Sequence, residues 1–337
     1  MSGAVKGNTT MTFHPEFAPI IEALQPTDWM RDVNATRAVM ATAAADTTHP
    51  DDPTIAVSDM EIPSATGPTV RIRRYRPASA STTTPTVLWC HGGGFALGTL
   101  DTEDANCRKL VRRYQLTVVS VDYRLAPEHP YPAGFNDAYH ALLWTAKTMT
   151  DRHGHRPPLA VGGHSAGAAL AAAVALAARD RGGPDIAFAY LGYPVLHDAP
   201  ATASFAAVTD PRIWNSDQAR AAWRLYLAGH DPAPPYAAPA RAATLDGFPA
   251  TYMLVCQNDP HRDEALEFAD RLIATGVLLE LHLLPGAPHM FDTYAPNGTL
   301  TKRAVDGWVD AIGQTLTVNP EAGGYRAPSE PVAQVRH

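Results

Sequence analysis

From Pro85 onward the chain alternates short apolar runs with helical patterns, and this rhythm constrains the fold more than any other feature. The runs Val87–Cys90, Leu116–Val121, Leu159–Gly163, Ile186–Leu191, Tyr252–Cys256 and Leu278–Leu284 have the length and near-continuous apolarity of buried strands. Between and after them, apolar residues at helical spacing predict helices near 102–114, 134–149, 166–181, 263–275 and 299–316. Gly182–Gly183 and Gly276 stand where two of these helices should stop, and Asp263 stands as the expected cap of the helix 263–275. Such alternation predicts an α/β fold, with a mostly parallel central sheet flanked by helices on both faces.

Ahead of this region, Val57–Ile62 and Val70–Tyr75 alternate with period two, as half-buried strands do, and Gly67–Pro68 marks the turn between them. His49–Pro53 reads as a turn and Ser79–Thr84 as a loop. The first 50 or so residues read as two short amphipathic helices broken at Pro26, one built on Phe17, Ile20, Ile21 and Leu24 and one on Trp29, Val33, Arg37 and Met40. One stretch interrupts the alternation: roughly 60 residues separate Leu191 from Tyr252, too many for a simple crossover. Within it, Ala219, Ala222, Trp223 and Tyr226 predict an insertion helix over Ser216–Leu227, which with the N-terminal helices would form a cap over the sheet. The expected organisation is N-terminal cap helices over 1–54, core over 55–197, cap insertion over 198–235, core again over 236–317, and a flexible tail over 318–337.

Composition removes several function classes. With 27 basic and 34 acidic residues the formal charge is −7, and no basic stripe is present to neutralise phosphates, so nucleic acid is not an expected partner. Cys90, Cys107 and Cys256 are scattered without metal-ligand or CxxC spacing, which argues against a disulfide framework and a metal site. The first ten residues lack the charged start and apolar run of a signal peptide, and the most apolar helix, Ala166–Ala178, is too short to span a bilayer. A cytoplasmic enzyme without stable membrane insertion is expected.

The chemistry centres on Gly163-His-Ser-Ala-Gly167, which follows an apolar run and opens a helix, the context of a nucleophile elbow presenting Ser165. His91-Gly-Gly-Gly94, directly after another strand, supplies unencumbered amides; Gly92 and Gly93 with Ala166 are the expected oxyanion hole. No GxxxxGK[ST] or dinucleotide fingerprint accompanies these glycines. A serine hydroxyl needs a base, and the base an orienting acid, which in this arrangement follow the serine in the order acid, then histidine. Asp259 and His289 follow the last two core strands and fit those positions. Asp263 is the competing acid, with helix capping the stronger role. Among other histidines, His14, His49, His153 and His155 read as solvated loop residues, while His91 and His164 flank the motifs.

Together, His91-Gly-Gly-Gly94, Asp122-Tyr-Arg-Leu-Ala-Pro-Glu128 with Tyr131-Pro-Ala133, Gly163-His-Ser-Ala-Gly167, Asp259-Pro-His-Arg-Asp-Glu264 and His289 resemble the hormone-sensitive-lipase family of α/β-hydrolases, over residues 55–316. Two positions depart from the family's usual pattern: His164 stands where Asp or Thr is common, and Ala168 where Gly is common. The resemblance implies an α/β-hydrolase fold with a helical cap, a Ser165–His289–Asp259 triad, and hydrolysis of short- to medium-chain carboxylic esters through an acyl-enzyme. No cofactor is expected. Phe95, His164, Trp214 and Trp223 are candidate pocket residues, with Phe13, Phe17, Trp29, Leu97 and Tyr226 near them, and Arg124 with Glu128 is a candidate ion pair. Family members dimerise through the last strand and helix, which implies a homodimer through 278–316. Lyases, amidases and non-catalytic ligand-binding modules share the scaffold. The intact glycine loop argues against the lyase and the presence of His289 against the binding module; amide cleavage stays open.

Overall fold

The structure, a computed structural model, describes residues 11–45, 52–63, 67–80, 84–150, 154 and 156–317. The first ten residues, most of the turn at His49–Pro53, the middle of the loop at Ser79–Thr84, His153, His155 and the tail 318–337 lie outside the described residues. Strands β1 (Ile55–Ile62), β2 (Val70–Pro77), β3 (Thr86–Cys90), β4 (Thr117–Asp122), β5 (Leu159–His164), β6 (Phe188–Gly192), β7 (Ala250–Asn258) and β8 (Leu279–Pro288) form one sheet. Its order is β1-β2-β4-β3-β5-β6-β7-β8. Strand β2 is antiparallel to both its neighbours, β1 and β4; every pair from β4 across to β8 is parallel. Every residue of β3, β5 and β6 is buried, as the continuous apolar runs predict for strands covered on both faces. By contrast β1 and β8, at the edges, mix buried and exposed positions.

The helices are α1 (Ala18–Ala23), α2 (Val33–Ala45), α3 (Asp104–Tyr114), α4 (Ala133–Thr148), α5 (Ala166–Asp180), α6 (Ala203–Ala207), α7 (Ser216–Leu227), α8 (Arg262–Ala274), α9 (Phe291–Tyr294) and α10 (Thr299–Thr317). Successive strand residues point to opposite faces and so divide the core in two. Leu88, Val119, Val161, Leu191 and Met253 pack with α4, α5 and α8. Trp89, Val118, Ala160, Tyr190 and Leu254 pack with α3 and α10 on the other face. A third cluster joins Met30 and Val33 to Phe205, Trp214, Ala219 and Ala222, with Ala96 and Leu97 beneath them. Helices α2, α6 and α7 are thereby gathered beside the glycine loop.

Several details differ from expectation. The two N-terminal helices do not share one environment: Phe17 and Ile21 are buried with Phe291, Leu300 and Trp308 of the core, and only the second helix joins α7. Phe13 also packs against that core cluster. His14 is half-buried rather than solvated, its backbone N–H donating to the Gly286 carbonyl at 3.1 Å. The expected Arg124–Glu128 pair is absent. Arg124 instead makes two 2.8 Å bonds to buried Asp137, while Glu128 takes Arg37 at 2.8 Å. A carboxylate one helical turn inside α4 is closer to Arg124 than one in its own loop, a proximity that periodicity does not reveal. Asp263 is not the cap of α8 either. It lies inside the first turn, and its carboxylate accepts the Ser204 N–H at 2.7 Å near the start of α6.

Candidate active site

Ser165 sits between the end of β5 and the start of α5 with φ 55° and ψ −120°, a conformation few non-glycine residues adopt. Its N–H donates to Gly192 O at 2.8 Å, which ties the turn to β6. The flanking glycines are required by space: a Cβ on either Gly163 or Gly167 would collide with the Cys90 carbonyl oxygen. The serine is therefore thrust out at the carboxyl end of the central strands by a turn only small residues can make.

Its hydroxyl lies 2.8 Å from His289 Nε2, and His289 Nδ1 lies 2.6 Å from Asp259 Oδ2. Because an ionised carboxylate only accepts, Nδ1 carries the proton and Nε2 is free to accept from Ser165. The other carboxylate oxygen of Asp259 accepts the His261 N–H at 2.8 Å. Burial alone would raise the Asp259 carboxyl, but the charge and hydrogen bond of His289, aided by His261, hold it below its ordinary value. Ser165 is 3% exposed, Asp259 1% and His289 0%. Strand β8 reaches Pro288 and β7 reaches Asn258, so each delivers its residue directly from a strand end.

The glycine loop lies against the nucleophile: a Cβ on Gly92 would stand 3.5 Å from the Ser165 Cβ. Gly93 has φ +123°, and its carbonyl accepts from Ala96 and Leu97 at 3.1 and 2.8 Å, closing the loop. Among the described residues, the amides of Gly92, Gly93 and Ala166 have no protein acceptor. Behind the loop, His91 stacks on Tyr123 with ring centroids 4.2 Å apart, and the Tyr123 hydroxyl donates to the His91 carbonyl at 2.8 Å. Burial pushes the His91 pKa down, consistent with a neutral ring that donates from Nδ1 to the Gly92 carbonyl.

The four candidate pocket residues separate. Trp214 stacks on His289 at 5.8 Å between centroids and on Trp29 at 6.3 Å. Phe95 stacks on Tyr226 at 3.9 Å and packs on Trp223 at 5.1 Å, all three buried. His164 is not a pocket wall. Its Nδ1 meets Glu103 Oε1 at 3.0 Å and its Nε2 meets the Tyr190 hydroxyl at 3.0 Å, within a nest of Trp89, Tyr193 and Trp308. Burial opposes charge on both partners, yet their mutual attraction prevails: the His164 pKa is raised and the Glu103 pKa lowered. The last residue of a strand points opposite to its neighbour, which is why His164 faces the core while Ser165 faces out. A cavity of about 1090 Å³ lies between α2 and the loops around Gly98–Thr102 and Asp122–His129, and Thr293 touches it, but none of these four residues lines it.

Glu103, His261, Glu264 and Tyr193 were not singled out by the sequence, although two of them sit in the Asp259–Glu264 motif. Tyr193 packs its edge on His289 at 5.1 Å and donates its hydroxyl to Asp292 at 3.0 Å.

A mostly parallel sheet between helix layers, with a serine on a strained strand-to-helix turn after β5 and an acid and a histidine at the ends of β7 and β8, defines an α/β-hydrolase. The chain belongs to that family, the α/β-hydrolase-fold model matching residues 87–293. It is 39% identical over 252 residues to the esterase LipI of Mycobacterium tuberculosis, covering 73% of this chain and 78% of the relative. It is 38% identical over 231 residues to the carboxylesterase NlhH of the same organism, covering 67% and 72%. Among solved structures, a bacterial heroin esterase superposes with a TM-score of 0.83 at 34% identity, covering 90% of this chain and 98% of the other. The protein is an esterase of the hormone-sensitive-lipase type, a serine carboxylesterase. Among the described residues, no helix is long and apolar enough to cross a membrane.

Proposed function

We propose that Ser165, His289 and Asp259 carry out ester hydrolysis through an acyl-enzyme. The observation that carries this reading is the unbroken hydrogen-bond chain of 2.8 and 2.6 Å from the serine through the imidazole to a buried carboxylate. His289 takes the Ser165 proton as the oxygen attacks the ester carbonyl. The negative charge that develops on the carbonyl oxygen is met by the amides of Gly92, Gly93 and Ala166. As the intermediate collapses, the C–O bond to the alcohol breaks and His289 returns its proton to the leaving oxygen. Water, deprotonated by His289 in turn, releases the acid. Asp259 keeps the imidazole in the required tautomer throughout.

Short- to medium-chain acyl groups are the proposed substrates, with Trp214 and Phe95 as proposed apolar walls. Helices α2, α6 and α7 are the proposed cap, supported by their shared apolar cluster beside the glycine loop. A homodimer through the β8 edge is supported by exposed Leu278, Leu281 and Leu283, and sedimentation at micromolar protein tests it. A cytoplasmic setting fits three cysteines that are all free and buried. The decisive experiment is hydrolysis of a p-nitrophenyl acyl series, with a serine-directed phosphonate used to label the enzyme. Labelling at Ser165, with loss of turnover in Ser165→Ala, is expected; full turnover in that variant refutes the nucleophile.

A further inference from the structure

We propose that His261 is a positioning residue that holds Trp214 against the catalytic histidine and so sets how tightly the ester is gripped. This rests on the Ser165–His289–Asp259 reading and adds to it. The Trp214 indole N–H donates to His261 Nε2 at 3.1 Å. An indole nitrogen is a donor only, so Nε2 must hold a lone pair and the ring proton must be on Nδ1. That proton points to Glu264 Oε1 at 3.1 Å. Glu264 is itself fixed by backbone: the same oxygen accepts the Leu196 N–H at 2.7 Å and the His197 N–H at 3.2 Å. A carboxylate clamped by the chain after β6 thus selects the tautomer, and the tautomer fixes the tryptophan.

His261 is also the residue whose own N–H holds the second oxygen of Asp259 at 2.8 Å. One residue therefore braces the triad acid with its backbone and, through its side chain, the ring that faces the triad base. Trp214 reaches across the site. Its ring lies 5.8 Å from that of His289, and a Cβ on Gly94 would stand 3.0 Å from its Cη2. An ester carbonyl bound between His289 and the glycine loop lies along this wall. Trp214 belongs to the segment between α6 and α7 and is 4% exposed. Among the described residues, His261 is the sole hydrogen-bond partner of its N–H. A leucine at 261 leaves that buried donor without an acceptor, so the ring gains by turning away to find one.

The test measures kcat and KM for p-nitrophenyl acetate in His261→Leu, His261→Gln, Trp214→Phe and the double variant His261→Leu/Trp214→Phe, with Ser165→Ala in parallel. Loss of the anchor is expected to raise KM about tenfold in His261→Leu and in Trp214→Phe, with a smaller change in kcat. His261→Gln, whose amide oxygen can accept the indole N–H, should recover most of that loss. The double variant should be no worse than either single one, since both break the same bond. Equal behaviour of the Leu and Gln variants, or full addition of the two effects in the double variant, overturns the anchor. If His261→Leu fails to fold, the comparison of His261→Gln with Trp214→Phe decides: a mild Gln beside a raised KM in Phe supports the anchor, and the reverse refutes it. An active Ser165→Ala would instead overturn the triad, and the anchor with it.

Discussion

Two buried histidines adjoin Ser165, His164 beside it in the chain and His289 beside it in space. Each sets Nδ1 on a buried carboxylate, Glu103 at 3.0 Å and Asp259 at 2.6 Å, and each offers Nε2 to a hydroxyl, Tyr190 at 3.0 Å and Ser165 at 2.8 Å. As hydrogen-bond diagrams they are nearly the same. They differ in where the hydroxyl stands. Tyr190 lies inside the sheet, stacked on Trp89 and Trp308, and burial pushes its hydroxyl pKa well up. Ser165 stands on a strained turn at the sheet's carboxyl end, against a glycine loop with unclaimed amides. A buried histidine–carboxylate pair is thus no signature of catalysis. It becomes a proposed catalytic base only where its third partner can reach a substrate and donors wait for the developing charge.

The largest expected separation between the two comes from their hydroxyls. Ser165→Ala should lower kcat by about 10⁵-fold or more with unchanged thermal unfolding, whereas Tyr190→Phe should leave a working active site. Asp259→Asn should cost about 10⁴-fold in kcat by leaving the imidazole in the wrong tautomer. Glu103→Gln should cost far less activity per folded molecule; a matching loss of kcat would erase the distinction.

Stability should show the converse. His164→Leu strands the Glu103 charge in the core and should destabilise by about 3–5 kcal/mol in urea unfolding, while replacing both residues by leucine should cost much less. The pair also predicts a pH window. The Glu103 pKa is lowered from its ordinary 4.5, so its contribution is complete above that value and is lost as pH falls through the folded value. The His164 pKa is raised from 6.5, so its contribution is complete below that value and is lost as pH rises through the folded one. The stability gap between the wild type and the double leucine variant should therefore be widest between 4.5 and 6.5. A gap independent of pH would show that the pair is uncharged. The smallest effect belongs to the surface: Glu128, 47% exposed in its side chain, should cost under about 1 kcal/mol when changed to Gln despite its 2.8 Å bond to Arg37.

The elements around the site were legible in the chain for identifiable reasons. Buried parallel strands must be continuously apolar, so β3 to β7 stand out, and the elbow and glycine loop announce themselves through glycines at positions that exclude a Cβ. Position after a strand singled out Asp259 and His289 from other acids and histidines, and the structure brings His289 within hydrogen-bond reach of both Asp259 and Ser165. The partners of Arg124, Glu128, Asp263 and His164 were not legible. Each is decided by which side chain from a distant element arrives at the same place, as Glu103 meets His164 across 61 residues.

By itself, then, the sequence determined the α/β alternation, the strained turn at Ser165 and the residues available for an acid and a base, because period, backbone permissiveness and residue chemistry are local properties. The tertiary structure alone decided that His164 turns inward to meet Glu103 and that His261 sits under Trp214. Those outcomes depend on the face each residue presents and on the element packed against it, and a linear chain records neither.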